Sequence, residues 1–431
     1  MKVRFLYAAF RRHADDHPEL KECVPCNEYF GPPSLGIAYM AAVTPANVEF
    51  DFRDDRIEDV GFDDDVDLVA ISCFTPSAER AFELAREFRA RGRTVVLGGI
   101  FASTMPDVAL AHFDAVVIGE GEGVWAELLD DARRGELRRI YKHDGELDLD
   151  ALPLPRIDLY LAKENAAYHP DDYPVQLSRG CPLKCDACAI PLSMGRKLRS
   201  VPMQHVLGVV DAVNAKGKLA SLTEDTSFFP TAGALRHLSE FCDIIKLRPT
   251  PAKMSYVGIS MPMVLATPAS VFARLRDAGM NMFYLVGGFD TITRRAFTGK
   301  DPAALAKATE CIKRAKDEGI DPYTSFLVGN EDDDEGTFDR MLEFASRAGV
   351  DKAEFAIFTP YPGTPAWTRL LAQGRILHQH WGRYNDANVV FEPAQLSPEA
   401  LQEGYLYLWR EFYRARPMIA ERDYVARTVQ F

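Results

Sequence analysis

Nowhere in the 431 residues do eighteen apolar residues run together, so no segment reads as a membrane span. Positive charge is in short supply: 50 Lys and Arg against 63 Asp and Glu leave a net charge of −13. Gripping a nucleic-acid backbone needs the opposite balance, which sets that class aside. Acidity otherwise speaks only to solubility. The start, Met1 to Arg12, holds a short apolar stretch without a cleavage pattern, and is expected to be a first strand rather than a signal peptide. The eight cysteines are unevenly spaced, and with no secretion signal they indicate a reducing, cytoplasmic setting. What remains is ordinary: 47% hydrophobic and 26% charged residues, in a chain long enough for two or three domains.

Against that plain background stand Cys181, Cys185 and Cys188, in Gly180-Cys-Pro-Leu-Lys-Cys-Asp-Ala-Cys. Cysteines at i, i+4 and i+7 of one loop place three thiolates around a soft metal centre. Three suit a 4Fe–4S cluster with one iron open to an external ligand. Two other readings compete. A zinc knuckle needs a fourth Cys or His, and His205 is the next histidine, in an expected helix. A disulfide is cramped at these spacings. Cys23 and Cys26 form a lone C-x-x-C, read as structural or loop-edge thiols with a redox pair as the alternative.

Short Val-, Ile- and Leu-rich strands alternate with helices up to about residue 135. Strands are expected at Lys2 to Ala8, Val48 to Phe52, Leu68 to Cys73, Thr94 to Leu97 and Ala115 to Ile118. Helices are expected at Ser34 to Ala42 and Ser77 to Arg91. Such alternation predicts a parallel, doubly wound sheet whose ligands bind at the carboxyl ends of the strands. Those ends carry Ser72 to Thr75, Gly98-Gly99 and Gly119-Glu120-Gly121-Glu122. A single glycine pair reads as turn chemistry; three on successive strand ends read as a ligand face.

After a Pro-rich link, a second alternation predicts six strands, from Pro174 to Phe358, too few for a closed eight-fold barrel but right for a partial one. The cysteine loop follows the first of these strands, at the mouth where barrel sites form. Expected boundaries are 1–140, 141–173 (link), 174–362 and 363–431, the last a helical segment. In that segment the aromatics Tyr405, Tyr407, Trp409, Phe412 and Tyr413 read as core.

Laid end to end, the chain resembles the cobalamin-binding-domain radical S-adenosylmethionine (radical SAM) family, which includes class B methyltransferases. The match rests on Asp67 to Pro76 with Val95 to Gly99 and Ile118 to Glu122, on Ser178 to Cys188, on Gly195 to Pro202, on Phe326 to Glu331 and on Thr359 to Pro365. The resemblance implies a Rossmann-like cobalamin domain, then a partial (β/α)6 barrel. It implies three cofactors: the cluster on Cys181, Cys185 and Cys188, SAM, and cobalamin. Ser72, Thr75, Gly98, Gly99, Gly119, Glu120 and Gly121 are the implied cobalamin contacts. Glu224, Asp225, Asp290, Gly329 and Glu331 are the implied SAM contacts, the first two as acceptors for its ammonium group. An acidic pair such as Glu224-Asp225 also reads as a solvated turn.

Two features depart from the family pattern. Ala187 stands where an aromatic usually meets adenine before the third cysteine. No Asp-x-His-x-x-Gly occurs in residues 1–150 to ligate cobalt from below. Either cobalamin binds without a histidine ligand, or the domain has the fold alone. The expected function is a cobalamin-dependent radical SAM methyltransferase acting on a small or lipid-like metabolite. An electron donor such as flavodoxin or ferredoxin is expected to serve it. Cyclisation, oxidation or rearrangement without methyl transfer is the alternative, and a non-catalytic cluster-binding protein a second one.

Overall fold

The structure, a computed structural model, describes residues 1–23, 31–165, 168–225, 229–249, 251–287, 292–414 and 416. Cys26 and Asp290 lie outside them. Two six-stranded parallel sheets organise the chain. The first is built from β1 (Lys2–Tyr7), β2 (Glu49–Asp54), β3 (Leu68–Ser72), β4 (Thr94–Gly98), β5 (Ala115–Ile118) and β6 (Ile140–Lys142), in the order β2-β1-β3-β4-β5-β6. Its central strands are apolar runs because helices bury both faces; Val3, Leu68, Val69, Val95, Leu97 and Val116 are fully buried. From β1 the chain winds to one side, and from β3 to the other. The switch point between those two strands opens a crevice at their carboxyl ends. The sixth strand, within the stretch expected to be a link, has only Tyr141 buried, too little apolar signal to announce a strand.

The second sheet holds all six expected strands: β7 (Asp172–Val175), β10 (Leu219–Leu222), β11 (Met254–Ser260), β12 (Met282–Val286), β13 (Asp321–Val328) and β14 (Lys352–Ile357). They pair in sequence order, and β14 does not meet β7, so the barrel stays open. A two-stranded hairpin, β8 (Ser178–Arg179) with β9 (Arg199–Ser200), was not foreseen; it brackets the cysteine loop.

Helix Pro398–Arg414 packs on β14 and on helix Thr337–Ala348. Tyr405, Trp409, Phe412 and Tyr413 are buried in the core as expected, while Tyr407 is half-buried and donates to Asp339 Oδ1 at 2.8 Å. The same segment reaches the first sheet through His13, whose Nε2–H donates to the Asn385 carbonyl at 2.8 Å while Tyr405 O–H donates to Nδ1 at 2.7 Å. Burial pushes this histidine down to about 4, so it is neutral at physiological pH.

Candidate active site between the two sheets

The carboxyl ends of the first sheet are nearly bare of side chains. Gly99, at φ +96°, is forced by close packing: a Cβ there would sit 2.5 Å from the Cys73 carbonyl oxygen. A Cβ on Gly98, by contrast, would meet nothing within 4 Å, because it would point into a cavity. Ser103 Oγ accepts from Gly119 N–H at 2.9 Å and fixes the neighbouring strand end. The floor is therefore backbone, which lets a large ligand come close.

Opposite stands the cysteine loop, shaped by hydrogen bonds from β10. Asp225 accepts from Gly180 N–H at 2.8 Å and from Gln176 Nε2 at 3.2 Å. Glu224 accepts from Leu177 N–H and from Ser178 O–H. Burial nevertheless pushes Glu224 up to about 8, and raises Asp225 as well. Gly180, at φ +83°, leaves no room for a Cβ, which would lie 2.3 Å from the Lys197 carbonyl oxygen. On its other flank the loop is tied to the end of the barrel: Asp186 accepts from Ala366 N–H through its carbonyl at 2.8 Å, and pairs with Arg369 at 3.2 Å. Burial raises all three cysteine thiols, Cys188 to about 11. The charges of Cys181 and Cys185 add to the rise at Cys188. Among the described residues, no three His, Cys, Asp or Glu side chains converge as ligands of one ion would.

One cavity of about 470 Å³ joins these two surfaces, within the range of ligand sites. From the first sheet come Tyr7, Ser72, Gly98, Gly99, Gly119, Glu120 and Gly121; from the second, Gln176, Arg179, Thr223, Glu224 and Asp225. Phe5, Ile37, Met40, Val96, Val117 and Trp125 give it an apolar wall. No histidine is among the described residues that line it.

Across its edge runs a buried ion cluster that pattern reading missed. Arg179 pairs with Glu120 at 3.0 Å and with Glu122 at 2.9 Å, and Arg199 pairs with Glu120 at 2.6 Å. The Arg179 guanidinium also lies 4.4 Å from the centre of the Tyr39 ring. Burial works against the charge on Arg179, but Glu122, Tyr39 and Glu120 outweigh it and hold the cation. The hairpin around the cysteines is thus fastened to the glycine-rich end of β5. A long-range pair between a loop Glu and a strand Arg leaves no periodic trace in a sequence.

Ser72, Gly98, Gly99, Gly119, Glu120 and Gly121 line the cavity, and so do Glu224 and Asp225. Thr75 does not: it is buried in the turn behind the cavity, where its carbonyl starts a helix. Gly329 is buried at the end of β13, its N–H held by Asp333 at 2.8 Å. Glu331 stands outside, half-exposed and paired with Arg375 at 3.1 Å, because Asp333 rather than Glu331 closes that turn. Asp333 belongs to an acidic run that reads as solvated, yet it is buried, and burial pushes it up to about 6.

A family model described as B12 binding domain matches residues 29–129. A second, described as radical SAM superfamily, matches residues 175–345. The chain carries a B12 binding domain followed by a radical SAM domain. Among its relatives, bacteriochlorophyllide d C-8(2)-methyltransferase of Chlorobaculum tepidum is 26% identical over 408 residues, covering 91% of this chain and 88% of that one. Bacteriochlorophyllide d C-12(1)-methyltransferase of the same organism is 25% identical, covering 89% and 84%. The solved structure of the radical SAM methyltransferase TsrM from Kitasatospora setae, with cobalamin and a [4Fe–4S] cluster bound, shares the fold. Its TM-score is 0.67 at 14% identity, covering 98% of this chain and 92% of that one.

The cofactors of a radical SAM protein with a B12 domain are a 4Fe–4S cluster, SAM and cobalamin, and the residues present fit them. A four-iron cluster asks for a looser set of thiols than a single ion does, since each thiolate takes its own iron. Three cysteines at i, i+4 and i+7 of a loop clamped at Gly180 and Asp186 suit that demand. The bare strand ends, with open space where Gly98 would carry a side chain, meet the demand of a flat, bulky corrin.

Proposed function

We propose that this enzyme is a cobalamin-dependent methyltransferase that acts on an unactivated centre of a small or lipid-like metabolite. The observation that carries the reading is the single cavity lined by the glycine ends of one sheet and by the cysteine-loop anchors of the other. When bound, the cluster and SAM supply a 5′-deoxyadenosyl radical, and methylcobalamin supplies the methyl group. In this reading Cys181, Cys185 and Cys188 hold three irons as thiolates. Asp225 and Glu224 meet the ammonium group of SAM, a charge-assisted contact that also stabilises their ionised forms against burial. Gly329 lets the end of β13 pass close to the nucleoside.

Gly98, Gly99, Gly119 and Gly121 admit the corrin, with Ser72 available to its polar edge. Cobalt then takes no histidine of this chain among the lining residues. Arg179 and Arg199 hold the two faces at a fixed separation, and the apolar wall of Phe5, Met40, Val117 and Trp125 excludes water and favours an apolar substrate. An external protein supplies the electron.

The test is anaerobic reconstitution with cobalamin, desalting and a visible spectrum, followed by turnover with SAM and a reductant. Retained cobalamin and a product heavier by one methylene unit support the proposal. Protein that keeps no cobalamin, or a product without that gain in mass, overturns it.

A further inference from the structure

We infer that Asp386 is a positioning residue for the active site: through Tyr361 it sets the turn on which the cysteine loop rests. The inference rests on the radical SAM reading and names a residue that serves that same site from the C-terminal segment.

Among the described residues, Asp386 is the only one other than glycine at positive φ, +62°. Asp visits this left-handed region more readily than most residues, but staying there takes surroundings that hold it. Two bonds do so. The Asp386 carbonyl accepts from the N–H of Ile357, the last residue of β14, at 2.7 Å. That bond covers part of the open edge of the barrel. The Asp386 carboxylate accepts from Tyr361 O–H at 2.9 Å.

Its neighbours in the chain bind elsewhere. Asn385 accepts from His13 through its carbonyl at 2.8 Å, and its Nδ2 donates to Asp16 Oδ2 at 2.8 Å. The Ala387 carbonyl accepts from His17 Nε2–H at 2.9 Å. Three consecutive residues thus strap the two halves together. Asn385 and Ala387 grip the segment that follows β1, and Asp386 grips the second sheet.

Tyr361 opens a tight turn. Its carbonyl accepts from Thr364 N–H at 3.2 Å and from Thr364 O–H at 2.6 Å. Gly363, at φ +78°, lies against the first sheet's helix Ile100–Thr104, where a Cβ would sit 2.8 Å from the Thr104 carbonyl oxygen. Ala366 N–H then donates to the Asp186 carbonyl at 2.8 Å, and Asp186 stands between Cys185 and Cys188. The turn therefore meets the first sheet's helix, the strap and the cysteine loop, and Tyr361 is the point at which the strap holds it. Misplacing reacting groups by about 1 Å can cost about a hundredfold in rate. A bond that orients this turn acts on rate without touching a reacting atom.

The experiment uses the full reconstituted protein, with SAM and dithionite, and compares wild type with Asp386→Ala, Tyr361→Phe, the double variant and Asp386→Asn. Asparagine keeps an acceptor oxygen and tolerates the left-handed conformation, so it is the conservative replacement. Iron content, the EPR spectrum of the reduced cluster with and without SAM, and kcat and KM for 5′-deoxyadenosine release are measured. Asp386→Ala and Tyr361→Phe are each expected to lower kcat about tenfold, to change the KM for SAM less than about twofold, and to alter the EPR spectrum seen with SAM, at unchanged iron content. The double variant is expected to lose no more than Asp386→Ala alone, and Asp386→Asn to stay near wild type. A wild-type kcat and spectrum in Tyr361→Phe overturn the proposal, as do losses that add in the double variant or that follow a fall in iron content. Release of 5′-deoxyadenosine needs no methyl transfer, so failure of the methyltransferase reading leaves this readout in place.

Discussion

The two sheets of this molecule face each other with the same ends and bring opposite things to the meeting. The first contributes space: at Gly98 a side chain would point into the cavity, and at Gly99 none fits. The second contributes reactive and charged groups: three thiols on a loop clamped at Gly180 and Asp186, and two carboxylates at the end of β10 that do part of the clamping. A large planar cofactor needs a floor without obstruction, while a cluster needs ligands held at fixed directions. The same parallel architecture serves both, because strand ends accept either glycine or functional side chains without disturbing the buried strands behind them. The Arg179 and Arg199 cluster joins the two halves.

The comparison breaks most completely from the second side. Cys185→Ala removes one of the proposed iron ligands, and activity is expected to fall by more than about a thousandfold. The absence of 5′-deoxyadenosine and of the reduced-cluster EPR signal checks this, while cobalamin binding survives.

Next comes the join. Arg179→Met leaves Glu120 and Glu122 buried beside Arg199 with too little positive charge. Removing one partner of a buried set costs about 3–5 kcal/mol. Chemical denaturation is expected to show that loss, and Glu120→Gln with Glu122→Gln in the same chain to restore much of it.

A finer cut separates the floors. Gly98→Val has space for its side chain in the protein but places it where the corrin is expected. Cobalamin retention after desalting should drop about tenfold or more, roughly 1.4 kcal/mol or beyond, while SAM cleavage persists. Equal loss of both would mean that the floor is not a separate function.

Much of this contrast is legible in the sequence, because it depends on residue types at strand ends. The cysteines, the glycine pairs and Glu224-Asp225 all follow apolar strands whose periodicity marks them. What the sequence conceals is pairing across long separations: the β8–β9 hairpin, the fastening of Glu120 to Arg179, and Asp333 turning inward from an acidic run. Glu331 and Asp333 are chemically alike and two residues apart. Asp333 turns inward because it accepts from the Gly329 and Asn330 N–H groups, while Glu331 pairs outward with Arg375. Composition also hides the edge strand β6, since an edge needs few apolar residues.

A separate effect lies far from the cavity, where His13 ties the first sheet to the C-terminal segment. Its folded value of about 4 lies below its unfolded value, so the unfolded chain binds a proton first as pH falls. The stabilisation is whole above about pH 6.5 and declines towards pH 4. By pH 5 the loss is about 2 kcal/mol. Denaturation curves at pH 7 and pH 5 should show it, and His13→Gln should remove that part of the pH dependence.

The central claim is that cobalamin and the cluster meet across one cavity, and EPR of protein loaded with cob(II)alamin and the reduced cluster tests it most directly. Two unpaired electrons that close must interact. The account predicts a split or broadened cobalt spectrum that relaxes faster than in protein whose cluster is oxidised. A simple sum of the two separate spectra would contradict it.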